Sequence, residues 1–448
     1  MRVLEQLEPK NVLSFFEDLC AFPHGSGNTK AISDYCVKFA ESRGLEVHQD
    51  GLNNVVIVKP ATPGYEAAPT VIVQGHLDMV AEKTPDSPIN FLTDGLELEV
   101  DGDFIRAKGT TLGGDDGIAV AMALAVLDAK DLAHPRLECL FTIDEETGMD
   151  GAVGFDASIL QGKRLLNIDS EEEGILTVSC AGGAHAAVRI PMTANECALD
   201  SAEIRISGLK GGHSGAEIDK GRANATITLG RVLQALVDEL EVRLVSAEGG
   251  LKDNAIPNAA RAVIALEDGK LPRAQEICAE LQDTFRREYA AADPDVTVTF
   301  TPGTVASQAL TLRDTKKVCC FLGLYPNGIE SMSMDIPGLV QTSCNLGIFK
   351  VNGSGLEGSG SVRSSIASRK QLLLRRIGLL AEGLDGTLCV SGEYPAWEYR
   401  RESHLRDVMC KVYKDQYGQD MKVEAIHAGL ECGLFCGKIP GLDAVSFG

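Results

Sequence analysis

The chain has 448 residues, of which 44% are hydrophobic and 24% charged, and this length suits two or three domains with their own cores. A net charge of −22 and a pI near 4.8 argue against binding to nucleic acids or anionic membranes, which need basic surfaces. The sequence has no apolar run of about 18 residues and no signal peptide, and its 13 cysteines are scattered, so we expect reduced thiols in a cytoplasmic protein.

Residues 1–185 alternate between helical and strand-like segments. This alternation predicts an α/β domain, in which helices cover both faces of a mostly parallel sheet. The apolar spacing and the β-branched runs give the elements in chain order. They are helices at 11–20 and 30–43, strands at 54–59 and 70–74, a buried alanine-rich helix at 117–128, and buried strands at 137–143 and 165–168.

The pattern changes after residue 185, where alternating strands and amphipathic helices suit an inserted α+β domain. Its predicted elements are strands at 201–208, 260–267, 296–300 and 342–351 and helices at 224–241 and 272–289. The chain then returns to the first domain with a helix at 405–417 and strands at 422–427 and 443–447. We therefore predict a catalytic domain of residues 1–185 and 386–448, and a lid or dimerisation domain of residues 186–385.

Metal-binding side chains follow three of the predicted strands, and a glycine loop before a helix adds carboxylates. Because ligand sites gather at the carboxyl ends of parallel strands, we expect these side chains to meet. One His with several carboxylates suits zinc, manganese or cobalt and is not a soft thiolate site. The segments are Val71-Ile-Val-Gln-Gly-His76-Leu-Asp78, Phe141-Thr-Ile-Asp-Glu145-Glu146, Leu165-Leu-Asn-Ile-Asp169 and Gly113-Gly-Asp115-Asp-Gly.

The chemistry of these residues points to hydrolysis by a metal-activated water. Two divalent ions about 3.5–4 Å apart can share a carboxylate and a water of lowered pKa, and Asp115 suits the bridge. The repelling pair Glu145 and Glu146 would be relieved if one bound a metal and the other handled the proton of the water. Asp78 would orient the ring of His76. Each acidic residue alone could cap a helix or a turn, so the conjunction of four segments carries this interpretation.

The inserted domain offers three further polar groups. In Lys210-Gly-Gly-His213-Ser-Gly the glycines allow the backbone to approach a ligand, and His213 could polarise a substrate carbonyl oxygen. Asn254 offers an amide, and Arg363 a guanidinium that can grip a carboxylate through two hydrogen bonds. The alternatives are a flexible turn with an incidental His and ordinary surface residues.

These segments resemble the aminoacyl-histidine dipeptidases, which belong to the di-zinc metallopeptidases that include carboxypeptidase G and acetylornithine deacetylase. The resemblance runs through nearly all 448 residues. The four metal-site segments match the broad superfamily. The aminoacyl-histidine branch is indicated by two further segments, Ser170-Glu-Glu-Glu-Gly and His427-Ala-Gly-Leu-Glu-Cys-Gly.

The resemblance implies a homodimeric, zinc-dependent enzyme that hydrolyses Xaa-His dipeptides, including β-alanyl-histidine, with cobalt or manganese as alternative metals. Glu145 would be the general base that passes a proton from the bridging water to the leaving amine. His213, of this or the partner subunit, would stabilise the oxyanion. The implied zinc ligands are His76 and Asp169 for one ion, Glu146 for the other and Asp115 as the bridge, and the implied substrate contacts are Asn254, Arg363, His427 and Glu431.

The end of the chain departs from the family pattern. Family members continue past the strand at Asp443-Ala-Val-Ser to a His-x-Pro-x-Glu segment whose His is the last zinc ligand, whereas this sequence stops at Gly448. We expect either a catalytically impaired fragment or a second zinc held weakly by Asp115 and Glu146 alone. A broader di- or tripeptidase, a deacylase and a non-catalytic dimeric descendant are the alternative functions.

Overall fold

The computed structural model describes residues 2–448, whose contacts divide them into two units. Unit 1 contains the described residues up to Cys180 together with Tyr399–Ala425 and Leu430–Gly448. Unit 2 contains Ala181–Glu398 and Ile426–Gly429. The predicted domain boundaries at 185/186 and 385/386 stay predictions, because units defined by contacts are not measurements of independent folding.

Every helix predicted from the sequence lies within three residues of a helix of the structure. The described part of the chain has five other helices that the sequence pattern did not reveal, two of which are 13 and 17 residues long. In chain order the helices are α1 (Lys10–Cys20), α2 (Lys30–Ser42), α3 (Gly114–Asp128), α4 (Glu145–Gly148), α5 (Asp150–Gly154), α6 (Ala225–Glu239), α7 (Leu271–Glu288), α8 (Leu312–Leu324), α9 (Ala367–Gly383), α10 (His404–Tyr417) and α11 (Glu431–Lys438). Within residues 2–448, no helix combines the length and apolar character needed to cross a membrane.

The strands up to residue 180 and the two strands after residue 421 form the sheets of unit 1, and the strands between them form those of unit 2. In chain order they are β1 (Glu46–Gln49), β2 (Val55–Lys59), β3 (Val71–His76), β4 (Leu98–Asp101), β5 (Phe104–Ala107), β6 (Leu137–Thr142), β7 (Arg164–Asn167), β8 (Ile175–Cys180), β9 (Gly182–Pro191), β10 (Ala194–Ser207), β11 (Gly212–His213), β12 (Arg243–Gly249), β13 (Ala255–Ile256), β14 (Ala260–Leu266), β15 (Thr297–Pro302), β16 (Ala306–Leu310), β17 (Gly328–Met332), β18 (Val340–Asn352), β19 (Gly355–Ser364), β20 (Thr387–Tyr394), β21 (Lys422–Ile426) and β22 (Asp443–Ser446).

Unit 1 is built on an eight-stranded sheet of order β1-β2-β6-β3-β7-β22-β8-β21. Its four central strands, β6-β3-β7-β22, run parallel. Antiparallel pairs flank this centre, because β1 pairs with β2, β2 with β6, and β8 with β22 in that direction. All six residues of β6 are buried, which explains why its sequence does not alternate between apolar and polar residues. The α/β class is confirmed, with the parallel pairs at the centre of the sheet.

The parallel register brings three strand ends to one edge of this sheet. His76 at the end of β3 pairs with Thr142 at the end of β6, and Gln74 pairs with Asn167 at the end of β7. The segments that follow these three strands therefore emerge side by side. They are the segments in which the sequence places its metal-binding residues.

Asn54 fixes the segment that follows β6. Its side chain is buried, its Oδ1 accepts the N–H of Ile143 at 3.2 Å, and its Nδ2 donates to the carbonyl of Gly151 at 3.1 Å. Gly151 permits this close packing, because a Cβ there would lie 2.5 Å from Asn54 Oδ1 and 2.4 Å from the Ile143 carbonyl. The short helix α4, between Ile143 and Gly151, is thereby tied to the start of β2.

Unit 2 contains a ten-stranded antiparallel sheet. Its main order is β15-β10-β14-β12-β18-β19-β9-β20, with β16 beside β10 and β17 beside β18. The buried residues of α6 recur at helical spacing, as at Leu229, Val232, Leu233 and Leu236, and belong to one apolar core with the sheet residues Ile204 and Ile264. The predicted α+β character of the inserted segment is confirmed.

We expect Asn54→Ala to lower the free energy of unfolding by about 1–3 kcal/mol, because the buried N–H of Ile143 loses its acceptor. Urea unfolding followed by circular dichroism would measure this. Asn11→Ala, an exposed position in α1, is the control and should change stability by less than about 0.5 kcal/mol. Equal effects of the two substitutions would contradict the role given to Asn54.

Candidate metal centre

His76 is the residue on which the other groups of the centre converge. It ends β3, and only 1% of its surface is exposed. Its Nδ1–H donates to the carbonyl oxygen of Asp78 at 3.0 Å, which leaves Nε2 as the free coordinating nitrogen. Nε2 lies 3.1 Å from Asp115 Oδ1 and 3.8 Å from Asp169 Oδ1. A backbone or carboxylate partner on one ring nitrogen is how metal-binding His side chains are oriented.

Two sets of three side chains in unit 1 bring their ligand atoms within 4.8 Å of one another. One set is His76, Asp116 and Asp169, and the other is His76, Asp115 and Glu146. The structure thus brings together the four residues predicted as metal ligands. Imidazole nitrogen with carboxylate oxygens suits zinc, manganese or cobalt.

Asp116 belongs to this cluster although the sequence analysis did not single it out. It is buried, and its Oδ2 accepts the backbone N–H of His76 at 3.0 Å. Gly75 makes room for this carboxylate, because a Cβ at Gly75 would lie 2.5 Å from Asp116 Oδ2. The available signal was the Asp115-Asp116 pair itself, but the sequence does not tell which of two adjacent carboxylates turns inward.

The cluster has more carboxylate groups than positively charged groups to compensate them. Burial, together with the charge of Asp169, raises the pKa of Asp116 well above its ordinary value. Burial, together with the charges of Glu145 and Asp115, raises the pKa of Asp169 to about 8 against the opposing effect of His76. Asp169 Oδ2 is also buried without a hydrogen-bond partner among the described residues. Crowded acidic groups with an unsatisfied oxygen fit a divalent cation, which would favour their ionised forms.

The pKa values of Asp115 and His76 shift in opposite directions, and each shift favours the charged form. The hydrogen bond from His76 lowers the pKa of Asp115. Burial alone would lower the pKa of His76, but its contacts with Asp115 and Asp78 outweigh burial and raise it well above the ordinary value. Without a cation, His76 therefore serves as the positive partner of the carboxylates.

Asp78 links the His76 ring to the first turn of α4. Besides the contact with the ring at 3.3 Å, its Oδ1 accepts the N–H of Glu145 at 3.0 Å, and its Oδ2 accepts the hydroxyl of Ser26 at 2.8 Å. These bonds hold Glu145 beside the cluster. Burial and the charge of Glu146 raise the pKa of Glu145 to about 7, although His76 opposes them. A carboxyl group with this pKa can take up and return a proton near neutral pH.

Glu431 lies close to the metal centre, but its side chain is not accessible to solvent. Its side chain is fully buried, and its Oε2 accepts the Thr142 hydroxyl at 2.7 Å and the Gln74 amide at 2.5 Å. Burial raises the pKa of Glu431 to about 8. This position argues against the predicted contact between Glu431 and a substrate, because a contact needs an accessible oxygen.

Unit 2 holds the other predicted residues. His213 Nδ1 accepts the N–H groups of Ala216 at 3.0 Å and Gly215 at 3.3 Å, so its proton lies on Nε2. Burial and the nearby Arg363 lower the pKa of His213, which favours this neutral form. Asn254 is exposed, and its carbonyl accepts the N–H of Ser214 at 2.9 Å.

Arg363, His213 and His427 converge on Gly215. A Cβ on this glycine would lie 3.1 Å from Arg363 Nε, 3.1 Å from His213 Cε1 and 2.6 Å from the His427 carbonyl oxygen. Arg363 donates from Nη1 to the Tyr394 hydroxyl at 3.0 Å, while its buried Nε has no partner within residues 2–448. His427 Nε2 lies 2.7 Å from Ser343 Oγ, and burial with the Arg363 charge lowers the pKa of His427 to about 4. These groups offer donors to an anionic or carbonyl oxygen.

Comparison with known proteins gives relatives that match most of the chain. The chain is 34% identical over 450 residues to the cytosol non-specific dipeptidase of Escherichia coli strain K12, covering 100% of this chain and 93% of that protein. The structure matches an aminoacylhistidine dipeptidase from Vibrio alginolyticus with a TM-score of 0.94 and 36% identity, covering 99% of this chain and 91% of that one.

Of two further matches, one covers a single segment of the chain and the other concerns only the fold. Residues 204–293 match the M20 peptidase dimerisation domain. A tripeptidase from Staphylococcus aureus shares the fold with a TM-score of 0.52 and 15% identity, over 98% of this chain and 89% of that chain.

We expect the metal-free protein to lose stability as the pH rises from about 4 to about 8. In this window the folded protein retains protons on Asp169, whose pKa is raised to about 8, and on Asp116, whereas the unfolded chain has released them. The raised pKa of His76 acts in the same direction. Scanning calorimetry in a chelator would show a falling melting temperature, and added zinc should reverse most of the loss. A melting temperature that rises across this window would contradict the interpretation.

Proposed function

Because the chain belongs to the M20 family of metallopeptidases, which are hydrolases, we propose that it is a metal-dependent dipeptidase with its metal centre around His76. The observation that carries the proposal is the convergence of His76 with Asp115, Glu146 and Asp169 at the carboxyl ends of parallel strands. In open parallel sheets this edge is where ligands bind.

The donor set fits two zinc ions, with cobalt or manganese as alternatives. His76 and Asp169 would hold one ion, Glu146 the other, and Asp115 would bridge them, as the family resemblance implies. Asp116 lies near enough to join the first ion. When bound, such ions polarise the scissile carbonyl group and lower the pKa of the attacking water.

Glu145 is the residue that we propose as the general base. It would take a proton from the attacking water and give it to the leaving amine, since it adjoins the proposed ligand Glu146 and is itself outside the two ligand sets. Asp78 would hold both His76 and Glu145 in place, because it contacts the His76 ring and accepts the N–H of Glu145. Positioning of this kind keeps the base and the metal ligands at fixed separation.

The groups of unit 2 would bind the dipeptide. The Nε2–H of His213 would donate to the oxygen that becomes negative during attack, and the guanidinium of Arg363, a partly exposed residue, would bind a substrate carboxylate. Asn254 and His427 would add polar contacts. The match to a dimerisation domain supports a homodimer, in which His213 would act in its own subunit or the partner's.

The proposed substrates are Xaa-His dipeptides, including β-alanyl-histidine, because the Vibrio relative is named an aminoacylhistidine dipeptidase. The second candidate is a dipeptidase of broad specificity, because the Escherichia coli relative is named a non-specific dipeptidase. That name also supports a cytoplasmic location.

Replacing Glu145 by Gln should lower kcat by about 100- to 10,000-fold, because the amide cannot accept the proton of the water. Zinc content should stay that of the wild type, since Glu145 is not among the proposed ligands. The control is Glu172→Gln, an exposed loop position that should keep full activity. Wild-type turnover by the zinc-loaded Glu145→Gln enzyme would contradict the proposed base.

A panel of dipeptides that differ only in the C-terminal residue tests the substrate proposal. We expect kcat/KM for Xaa-His to exceed that for Xaa-Leu by about 10,000-fold, because a site built to hydrogen-bond a substrate group rejects an analogue that lacks it. Steady-state hydrolysis of glycyl-histidine and glycyl-leucine would measure this, and β-alanyl-histidine against β-alanyl-leucine would repeat the comparison with a second N-terminal residue. Equal values with and without His would refute the Xaa-His preference and favour the broad dipeptidase.

A further inference from the structure

Three polar side chains stand just before the residues of the metal centre, one on each of the strands that lead to it. Gln74 precedes His76 by two residues on β3, Thr142 precedes Glu145 by three at the end of β6, and Asn167 precedes Asp169 by two on β7. Gln74 and Asn167 are joined directly, because Asn167 Nδ2 donates to Gln74 Oε1 at 2.6 Å. All three side chains are buried.

Glu431 completes this network from the first residue of α11. One carboxylate oxygen, Oε2, accepts both the Thr142 hydroxyl at 2.7 Å and the Gln74 amide at 2.5 Å. A single acceptor thus joins β3 to β6 directly and β7 through Gln74. Its position along the chain is distant, since 357 residues separate Gln74 from Glu431.

A fully buried carboxylate is costly, and an apolar side chain of similar volume usually fills such a place at lower free energy. Glu431 is 0% exposed, and its Oε1 has no hydrogen-bond partner in the described chain. Core stability alone therefore does not account for Glu431. The carboxylate does join the ends of three strands that carry the centre, β3 and β6 directly and β7 through Gln74.

We propose that Glu431 is a positioning residue of the metal centre and not a substrate contact. By accepting hydrogen bonds from Gln74 and Thr142, it sets the separation of the strand ends and hence the separation of the ligand atoms of His76, Asp169 and Glu146. The inference rests on the proposed function, because it assumes that these side chains bind cations.

The test compares cobalt binding by four variants with that of the wild-type protein. Glu431→Met removes both acceptors, and Glu431→Gln keeps one acceptor oxygen of the same reach. Thr142→Val removes one donor and preserves shape, which keeps the test informative if Glu431→Met does not fold. Glu138→Met is the matched control, since Glu138 is also fully buried on β6 and accepts the N–H of Gly162 at 3.0 Å.

Cobalt titration followed by visible absorption should give a dissociation constant about 10- to 100-fold higher for Glu431→Met, the usual effect of losing a residue that orients metal ligands. Glu431→Gln should stay within about 3-fold of the wild type, and Thr142→Val should weaken binding about 2- to 10-fold, as expected for one hydrogen bond. Glu138→Met should lower the melting temperature and leave cobalt affinity unchanged. With saturating cobalt, Glu431→Met should lower kcat and keep KM.

Three results would overturn the inference. Glu431→Gln binding as poorly as Glu431→Met would assign the effect to charge and not to hydrogen bonding. A raised KM with unchanged cobalt affinity would restore Glu431 as a substrate contact. Equal losses of cobalt affinity in Glu431→Met and Glu138→Met would make the role merely structural. A wild-type protein that binds no cobalt would instead contradict the proposed function itself, and the inference with it.

Discussion

The repulsion among the crowded carboxylates around His76 is the constraint on which the rest of unit 1 depends. Asp115, Asp116, Asp169 and Glu146 gather at one edge of the sheet, and Asp116 and Asp169 have little water around them to screen their charge. The pKa values of Asp116, Asp169 and Glu146 are raised in the metal-free protein, which reflects the free-energy cost of ionising these groups there. Asp115 is the exception. A divalent cation removes this cost, so the arrangement makes physical sense as a place where cations bind.

The surrounding structure holds these groups where they repel one another. Gly75 lets Asp116 approach β3, Asp78 ties the His76 ring to α4, and Asn54 ties the segment around α4 to β2. Glu431 in turn holds Gln74 and Thr142, which precede residues of the centre on β3 and β6, through hydrogen bonds. The hydrogen bonds of Asp78, Asn54 and Glu431 limit how far the centre can relax when no cation is bound.

Much of the fold and of the candidate site could be predicted from the sequence, because both follow from local patterns. Buried strands such as β2 are nearly continuous apolar runs, and polar residues directly after the parallel strands mark the ligand edge of the sheet. The α/β class, the enzyme class and the family resemblance are confirmed. The separate roles of Glu145, His213 and Arg363 stay predictions.

The other features of the fold and the site could not be predicted, because they depend on contacts between residues that are far apart in the sequence. Apolar runs report burial but not pairing direction, so the antiparallel strands that flank the sheet of unit 1 were not anticipated. Two adjacent carboxylates look alike in sequence, although Asp116 is 2% exposed and Asp115 is accessible. The bond between Gln74 and Glu431 spans 357 residues, and no local pattern encodes such a contact.

The measurement that tests the central claim most directly is the reconstitution of chelator-treated protein with zinc, in which bound zinc and β-alanyl-histidine hydrolysis are measured in the same samples. The account predicts no hydrolysis without metal and a rate that rises with bound zinc until the centre is filled. Full hydrolysis by the metal-free protein, or tightly bound zinc with no hydrolysis of any dipeptide, would contradict it.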